Sequence, residues 1–267
     1  ISSGEIMHSV SAPSEEANQL YIEQSALAAR LNDTSDSGEL VIWDVGLGAA
    51  SNAMAVVQCF ERSVRENREL RRVRLISFER DLDPLALAAK HSAYFPHLHH
   101  SAPSRILAHG SWQHASELLC WELRQGDFRD YIEIAARPDL IFYDPFSYKA
   151  DGELWTGEIF ARIFQRCSAK PAELYTYSAS TAVRVALLSA GFCVAQGIGT
   201  GPKSETTIAF TRLTGATQHP SQPPLLDHKW LARWRRSAAK FPPAVGEDEQ
   251  VQFAKMIEDH QQFAQIA

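Results

Sequence analysis

The stretch that most limits what this chain can fold into is residues 41–52, Val-Ile-Trp-Asp-Val-Gly-Leu-Gly-Ala-Ala-Ser-Asn. A short apolar run ends at Asp44 and breaks into two glycines one residue apart. A helical apolar pattern then starts at once, through Ala53, Met54, Val56 and Val57. Strand, tight turn and helix in that order open a nucleotide-type α/β fold. Gly46 and Gly48 let the backbone come close to a ligand, and the unpaired N–H groups of a helix start face anions. The dinucleotide pattern G-x-G-x-x-G would place a third glycine at position 51, where this chain has Ser51. A purely structural strand–helix turn is the competing reading.

With 267 residues, 45% hydrophobic and 22% charged, the chain holds one good-sized α/β domain with short appendages. No apolar run reaches the length of a membrane span, and no charged-then-apolar start suggests a signal peptide, so no membrane partner is expected. Cys59, Cys120, Cys167 and Cys193 lie far apart with no C-x-x-C pair, which predicts free thiols in a reducing cytoplasm. The formal net charge of −6 lacks the strongly basic footprint of a typical nucleic-acid binder. A local basic face remains between His228 and Lys240, where Lys229, Arg233, Arg235, Arg236 and Lys240 face no acid. His91, His97, His99 and His100 fit no standard metal-site spacing, so no metal is expected.

Along the chain, Gly4–His8 is a short strand candidate, and Ser14-Glu15-Glu16 opens a helix with Ser14 as N-cap. Strands are predicted at 40–45, 73–78, 118–123, 140–143 and 174–177, followed by a hairpin of 192–196 and 206–211. Helices are predicted at about 52–70, from Asp83-Pro84 onward, at 157–167 and at 181–190. The stretch from His91 to His114 looks like an elaborated connection, and the chain after Leu213 like a Pro-rich linker with helical tail segments. This gives an N-terminal strand-helix extension (1–38), a central α/β domain (39–213) and a tail (214–267). Five strands alternating with helices and a closing antiparallel hairpin resemble the class I S-adenosyl-L-methionine (SAM) methyltransferases. Their Rossmann-like sheet is mostly parallel with one antiparallel strand.

Four acids stand at predicted strand ends: Asp44, Glu79, Asp127 and Asp144. In an open α/β sheet those ends share one rim, where ligands bind. Glu79, after the second strand, is placed to accept hydrogen bonds from both ribose hydroxyls. Asp127 is placed for an adenine amino group, and Asp44 for the methionine ammonium, directly or through water. Each acid alone would be an ordinary cap or loop carboxylate. NAD binding is the structural competitor. It expects its acid about 20 residues past the glycines, whereas Glu79 stands 31 residues after Gly48.

Several segments resemble one methyltransferase family more specifically. Asp139-Leu140-Ile141-Phe142-Tyr143-Asp144-Pro145-Phe146-Ser147, followed by Glu153-Leu154-Trp155-Thr156, is similar to the D-G-F-[AS]-P…[ML]-W-[TS] signature of the MnmC-like methyltransferases. Asp44–Asn52 resembles their E-x-G-F-G-T-G-x-N, and Ile76–Glu79 their strand ending in S-F-E. Tyr175–Ala179 with Val183-Arg184 resembles their T-[YF]-[ST]-[AS]…V-R-R, and Gly191-Phe192 with Gly197–Thr207 their A-G-F…G-x-G-x-K-R-E. The chain departs from the pattern at Pro145, Tyr148, Ala49, Ala50, Ser204 and Thr206. The family's fused oxidase domain has no counterpart among these residues.

The resemblance implies a SAM-dependent N-methyltransferase that makes 5-methylaminomethyl-2-thiouridine at the tRNA wobble position, with tRNA as a transient partner. It implies a donor site formed by Asp44, Gly46, Gly48, Asn52, Glu79, Asp127 and Asp144. Asp144 doubles as the group that holds the acceptor amine and takes its proton. Phe146 and Trp155 are candidates to wall the acceptor base, and Lys149 and Lys203, with Arg184, to meet phosphates. Core packing and surface charge are the plainer readings of those five. Trp230 and Trp234 are expected to pack back on the domain rather than to touch RNA. A different acceptor, small molecule or protein, and a catalytically silent SAM-binding module remain the alternatives.

Overall fold

The computed structural model describes residues 13–35, 38–66, 69–146, 151–199, 204–238, 240–241 and 245–264. The expected strand at Gly4–His8 lies outside them. The chain divides into two compact units at Phe146/Ser147.

The first unit starts with α1 (Pro13–Ala17), a π-helical stretch at Asn18–Glu23 and α2 (Leu27–Leu31). The predicted single helix is thus broken. Ala26 takes a left-handed φ of 50° between the pieces, and Ser14 lies inside the first turn rather than capping it. Leu20, Tyr21, Ile22, Leu27 and Leu31 are buried, and all three pieces pack on the later helix α3. Next come β1 (Leu40–Val45), α3 (Ser51–Arg65), β2 (Val73–Glu79) and α4 (Asp83–Lys90). The helix predicted to reach residue 70 stops at Arg65.

The predicted connection from His91 to His114 is a structured excursion. It contains α5 (Ser101–His109) and a short edge strand, β3 (Ser111–Gln113), before β4 (Leu119–Gln125). The His100 ring caps α5 by accepting from Ala102 N–H at 3.0 Å, and Gly110 ends the helix with a left-handed φ of 69°. β5 (Leu140–Tyr143) completes the unit.

The strand order is β3-β4-β2-β1-β5. β4, β2, β1 and β5 run parallel, and β3 pairs antiparallel with β4. Every residue of β1 and β5 is buried, as expected of strands covered on both faces. Trp43 fixes this core. Its ring meets Phe78 and Phe128 edge-on at 5.3 and 5.8 Å, and its Nε1–H donates to Ala136 O at 2.8 Å.

The second unit holds α6 (Gly157–Arg166), β6 (Glu173–Thr176), α7 (Thr181–Ser189), β7 (Cys193–Gly197) and β8 (Thr206–Phe210). β8 lies between β6 and β7 and pairs antiparallel with both. The antiparallel hairpin is therefore as predicted, while β3 adds an antiparallel edge strand that the periodicity did not show. The described tail then holds the α-helices α8 (Leu213–Gln218), α9 (His228–Arg235), α10 (Gln250–Glu258) and α11 (Gln261–Ala264).

The tail covers the outer edge of β7. Gln196 N–H donates to Pro224 O and Leu226 N–H to Val194 O, and the buried Gln262 amide bonds to both polar groups of Val194. An edge strand left bare would offer these groups to another chain. Trp230 and Trp234 are buried, as expected, with Trp230 stacked on Phe263 at 6.3 Å.

Candidate active site

Parallel pairing sets the strand ends of the first unit in line. Val45 lies opposite Phe78 on one side and Tyr143 on the other, and Glu79 lies opposite Gln125. The ladder runs one residue past the strands: Gly46 N–H donates to Phe78 O, Asp144 N–H to Val45 O and Gly126 N–H to Glu79 O, at 2.8–3.0 Å. The rim carrying the four acids is therefore backbone-fixed rather than left to loop sampling.

The glycine turn is built for close approach. Gly46 has a φ of +91°, and a Cβ there would stand 2.4 Å from Asp144 O and 2.8 Å from Pro145 Cα. Gly48 has a φ of 52° and Ala50 a φ of 63°. Ala50 thus adopts, at the N-cap of α3, the conformation for which the resembling family's pattern has glycine. Ser51 begins α3 and shows no such need. His97, which sequence reasoning grouped with a loop of histidines, holds the turn from outside. Its Nε2 lies 2.8 Å from Ala49 O, and a carbonyl only accepts, so the ring donates from Nε2. Burial lowers the His97 pKa, which keeps the ring in that neutral form near pH 7.

Asp44 sits beneath this turn with no exposed surface. Ser77 Oγ–H donates to its Oδ2 at 2.7 Å, and Trp121 Nε1–H donates to Ser77 Oγ at 2.9 Å. Asp44 Oδ1 is buried and accepts no hydrogen bond. Burial pushes the carboxyl up to about 8. The Ser77 hydrogen bond works against that shift, and the Asp144 and Glu79 charges add to it. When Asp44 is ionised, Oδ1 is a buried acceptor without a donor in the protein, which costs roughly 1–3 kcal/mol.

Glu79 takes hydrogen bonds from Gly48 N–H on Oε2 (3.1 Å) and Asp81 N–H on Oε1 (2.9 Å). Burial raises its pKa against those bonds. Asn52, in the first turn of α3, donates from Nδ2 to Asp144 Oδ2 at 2.7 Å. One contiguous group thus contains Asp44, Gly46, Gly48, Asn52, Glu79 and Asp144.

Asp127 follows β4 and caps a 3₁₀ turn, accepting from Arg129 N–H and Nε–H on Oδ1, each at 2.9 Å. The Arg129 guanidinium lowers its pKa and keeps it ionised. Phe146 is half-buried two residues past Asp144.

Trp155 belongs to the second unit. It is 2% exposed and packs edge-on against Tyr177 at 5.8 Å. Lys149 and Lys203 lie outside the described residues. Arg184, expected to be a phosphate contact or a surface charge, is neither. It is 2% exposed, and it donates from Nε to Thr207 Oγ1, from Nη1 to Glu205 Oε1 and from Nη2 to Thr206 O at 2.9–3.0 Å. Its charge ties α7 to β8 within that unit. Among the described residues no group of three His, Cys, Asp or Glu is arranged to hold a metal ion.

With the geometry established, comparison with known proteins decides between the nucleotide-type readings. Residues 89–212 match a family described as S-adenosyl-L-methionine-dependent methyltransferase. The chain is 28% identical over 200 residues to "tRNA 5-methylaminomethyl-2-thiouridine biosynthesis bifunctional protein MnmC" of Pseudomonas fluorescens, covering 72% of this chain and 30% of that protein. It is 28% identical over 243 residues to the protein of the same name in Pseudomonas aeruginosa, covering 86% and 35%. Among solved structures, MnmC2 from Aquifex aeolicus superposes with a TM-score of 0.66 at 22% identity, over 97% of this chain and 78% of that one.

Residues 89–212 carry the match to an S-adenosyl-L-methionine-dependent methyltransferase family, and the chain is similar to the MnmC proteins. It spans about a third of the length of the curated relatives it matches. The family match begins at residue 89 and so includes Asp127 and Asp144 but not the glycine turn. No helix among the described residues is long and apolar enough to cross a membrane.

Proposed function

We propose that the chain methylates an amine, the 5-aminomethyl group of a wobble 2-thiouridine in tRNA, with SAM as donor. One observation carries the donor half: the orphaned Oδ1 of fully buried Asp44 beneath a turn that a single Cβ would fill, with Glu79 and Asp144 on the adjacent strand ends. The residues fit a ligand that is cationic at its amino-acid end and carries hydroxyls further along. Asp44 offers its free acceptor to the ammonium, and Gly46 and Gly48 make room for it. Glu79 is assigned to ribose hydroxyls beside its backbone bonds, and Asp127 to an adenine amino group beside Arg129. The donor supplies a methyl group already activated on a sulfonium.

What remains for the protein is to present a neutral amine in line with that methyl group. Asp144 is the residue we assign to this. Asn52 fixes one of its oxygens, which sets the carboxylate plane, and the carboxylate accepts a hydrogen bond from the acceptor ammonium and then takes its proton. Phe146 is the aromatic surface we assign to the acceptor base. Trp155 is assigned to the acceptor base as well, and Lys149 and Lys203 to phosphates. We assign the methyltransferase domain to 39–213 and place the protein in the cytoplasm, in keeping with its free cysteines.

The tRNA acceptor is supported by the name that the MnmC relatives carry and by the Asp144–Thr156 resemblance. Mass spectrometry of tRNA nucleosides from a deletion strain tests it. Loss of 5-methylaminomethyl-2-thiouridine, restored by the wild-type gene and not by Asp144→Asn, is the expected result. An unchanged nucleoside profile would transfer the activity to a small-molecule or protein acceptor.

A further inference from the structure

The chain of hydrogen bonds behind Asp44 has no part in the assignments above. It crosses three strands: Trp121 on β4, Ser77 on β2 and Asp44 on β1, all with no exposed surface. Its polarity is fixed by chemistry. An indole Nε1–H only donates, so at 2.9 Å it fills an acceptor position of Ser77 Oγ. The single hydroxyl proton of Ser77 is then directed to Asp44 Oδ2, 2.7 Å away. One carboxyl oxygen of Asp44 is locked, and the other is the buried atom that accepts nothing.

The charged groups facing Asp44 are Glu79 from β2 and Asp144 just past β5, both of the same sign. α3 brings only Ser51 and Asn52 in its first turn, and its first charged residue is Glu61. In this setting an ionised Asp44 is opposed by burial and by two acids, and is favoured only by Ser77. A rotating, undirected hydroxyl would do that job poorly.

We propose that Ser77 and Trp121 are positioning residues of the donor site, a buried relay that holds Asp44 so that its second oxygen is presented, ionised, to the ligand's ammonium. This rests on the donor-site reading above. Ligand binding then expels a proton from Asp44, because the free protein keeps the carboxyl protonated up to about pH 8. Affinity for an ammonium-bearing ligand climbs as pH rises toward that value and levels off beyond it. The Ser77 hydrogen bond lowers the pKa of Asp44, so its removal moves the levelling point to higher pH.

Two probes separate the ends of the site. S-adenosylhomocysteine carries the ammonium, and 5′-methylthioadenosine has the adenosine end without it. Calorimetric titration of the full chain with each, from pH 6 to 9, compares wild type with Ser77→Ala, Trp121→Phe, Asp44→Asn and the Ser77→Ala/Asp44→Asn double variant. We expect Ser77→Ala to weaken S-adenosylhomocysteine about tenfold at pH 7 and to shift its affinity profile upward in pH. Trp121→Phe should move both in the same direction by about threefold. 5′-Methylthioadenosine should change by less than about twofold throughout, and the double variant should bind no worse than Asp44→Asn alone.

Equal loss for both probes in Ser77→Ala and Trp121→Phe would overturn the proposal, since it would mark the relay as ordinary core. An unmoved pH profile would overturn it too. If Ser77→Ala does not fold, Trp121→Phe, which keeps the hydroxyl and removes the indole N–H that orients it, decides by the same criteria. Wild type that binds neither probe would remove the donor-site reading itself, a result distinct from either.

Discussion

Adding one methyl group at Gly46 tests how rigidly the glycine turn and the strand carrying Asp144 are fitted together. A Cβ at position 46 would lie 2.4 Å from Asp144 O, 2.7 Å from its carbonyl carbon and 2.8 Å from Pro145 Cα, all backbone atoms. Ordinary contacts stand near 3.4–4 Å, so about an ångström of backbone must move, and it is the backbone that sets the Asp144–Asn52 hydrogen bond. The left-handed φ of +91° adds its own penalty. That conformational cost is roughly 1–2 kcal/mol for an L-residue, and an overpacked site adds about 1–3 kcal/mol.

Gly110 supplies the control. It has a φ of +69°, but a Cβ there meets nothing within 4 Å, so Gly110→Ala carries the conformational part alone. Urea denaturation should show Gly46→Ala destabilised by about 2–5 kcal/mol and Gly110→Ala by about 1–2 kcal/mol. Gly46→Ala should also lose S-adenosylhomocysteine binding, while Gly110→Ala keeps it. Two variants within about 0.5 kcal/mol of each other would refute the close fit, since that is the scatter of unrelated surface substitutions.

Other consequences are equally direct. Native Asp44 holds a proton between its ordinary 3.8 and about 8 that the unfolded chain has released. Over that span the native state binds more protons, so this group's contribution to stability falls as pH rises, and it is flat above about 8. Asp44→Asn should therefore gain stability relative to wild type from pH 4 to 8 in urea melts; a constant difference would refute the shift.

Gln262→Leu removes a 2.6 Å bond from Val194 N–H and a 2.7 Å bond to Leu226 O. Two buried backbone groups left unpaired should cost about 2–4 kcal/mol in the same assay, and a loss under 1 kcal/mol would show that the tail does not seal β7. Arg184→Met should cost about 2 kcal/mol, below the full price of a broken buried pair because Glu205 is 31% exposed. Arg184→Lys should not rescue it, since an ammonium cannot reproduce the three-way fork. Full rescue would show that charge alone suffices.

Much of this architecture is legible in the sequence because strand and rim share one signal. β1, β2, β4 and β5 are short strands, and each carries an acid in its last two residues or in the two that follow, which the parallel ladder then aligns. Four features are not legible, each for a physical reason. Ala50 is left-handed at the head of α3, and nothing about alanine announces a positive φ. α5 is hidden in a stretch of Ser, Pro and His because its cap is a histidine ring, not one of the usual short polar side chains.

The other two concern partners distant in sequence. Arg184 looks like a surface charge until Glu205 and the first two residues of β8 supply its acceptors 21–23 residues later. Ser77 and Trp121 are 44 residues apart, and only the β2–β4 register brings them together. For the proposed acceptor the sequence offers only the Asp139–Thr156 resemblance, and Lys149 and Lys203 lie outside the described residues.

The central claim is that the rim of the first unit binds the methyl donor. Isothermal titration of the wild-type chain with S-adenosyl-L-methionine, beside Glu79→Ala, tests it most directly. The predicted result is one molecule bound per chain, with affinity at least about tenfold weaker in Glu79→Ala, as expected for loss of a charge-assisted hydrogen-bond acceptor. Saturable binding that is indifferent to Glu79, or no binding at millimolar donor, would contradict it.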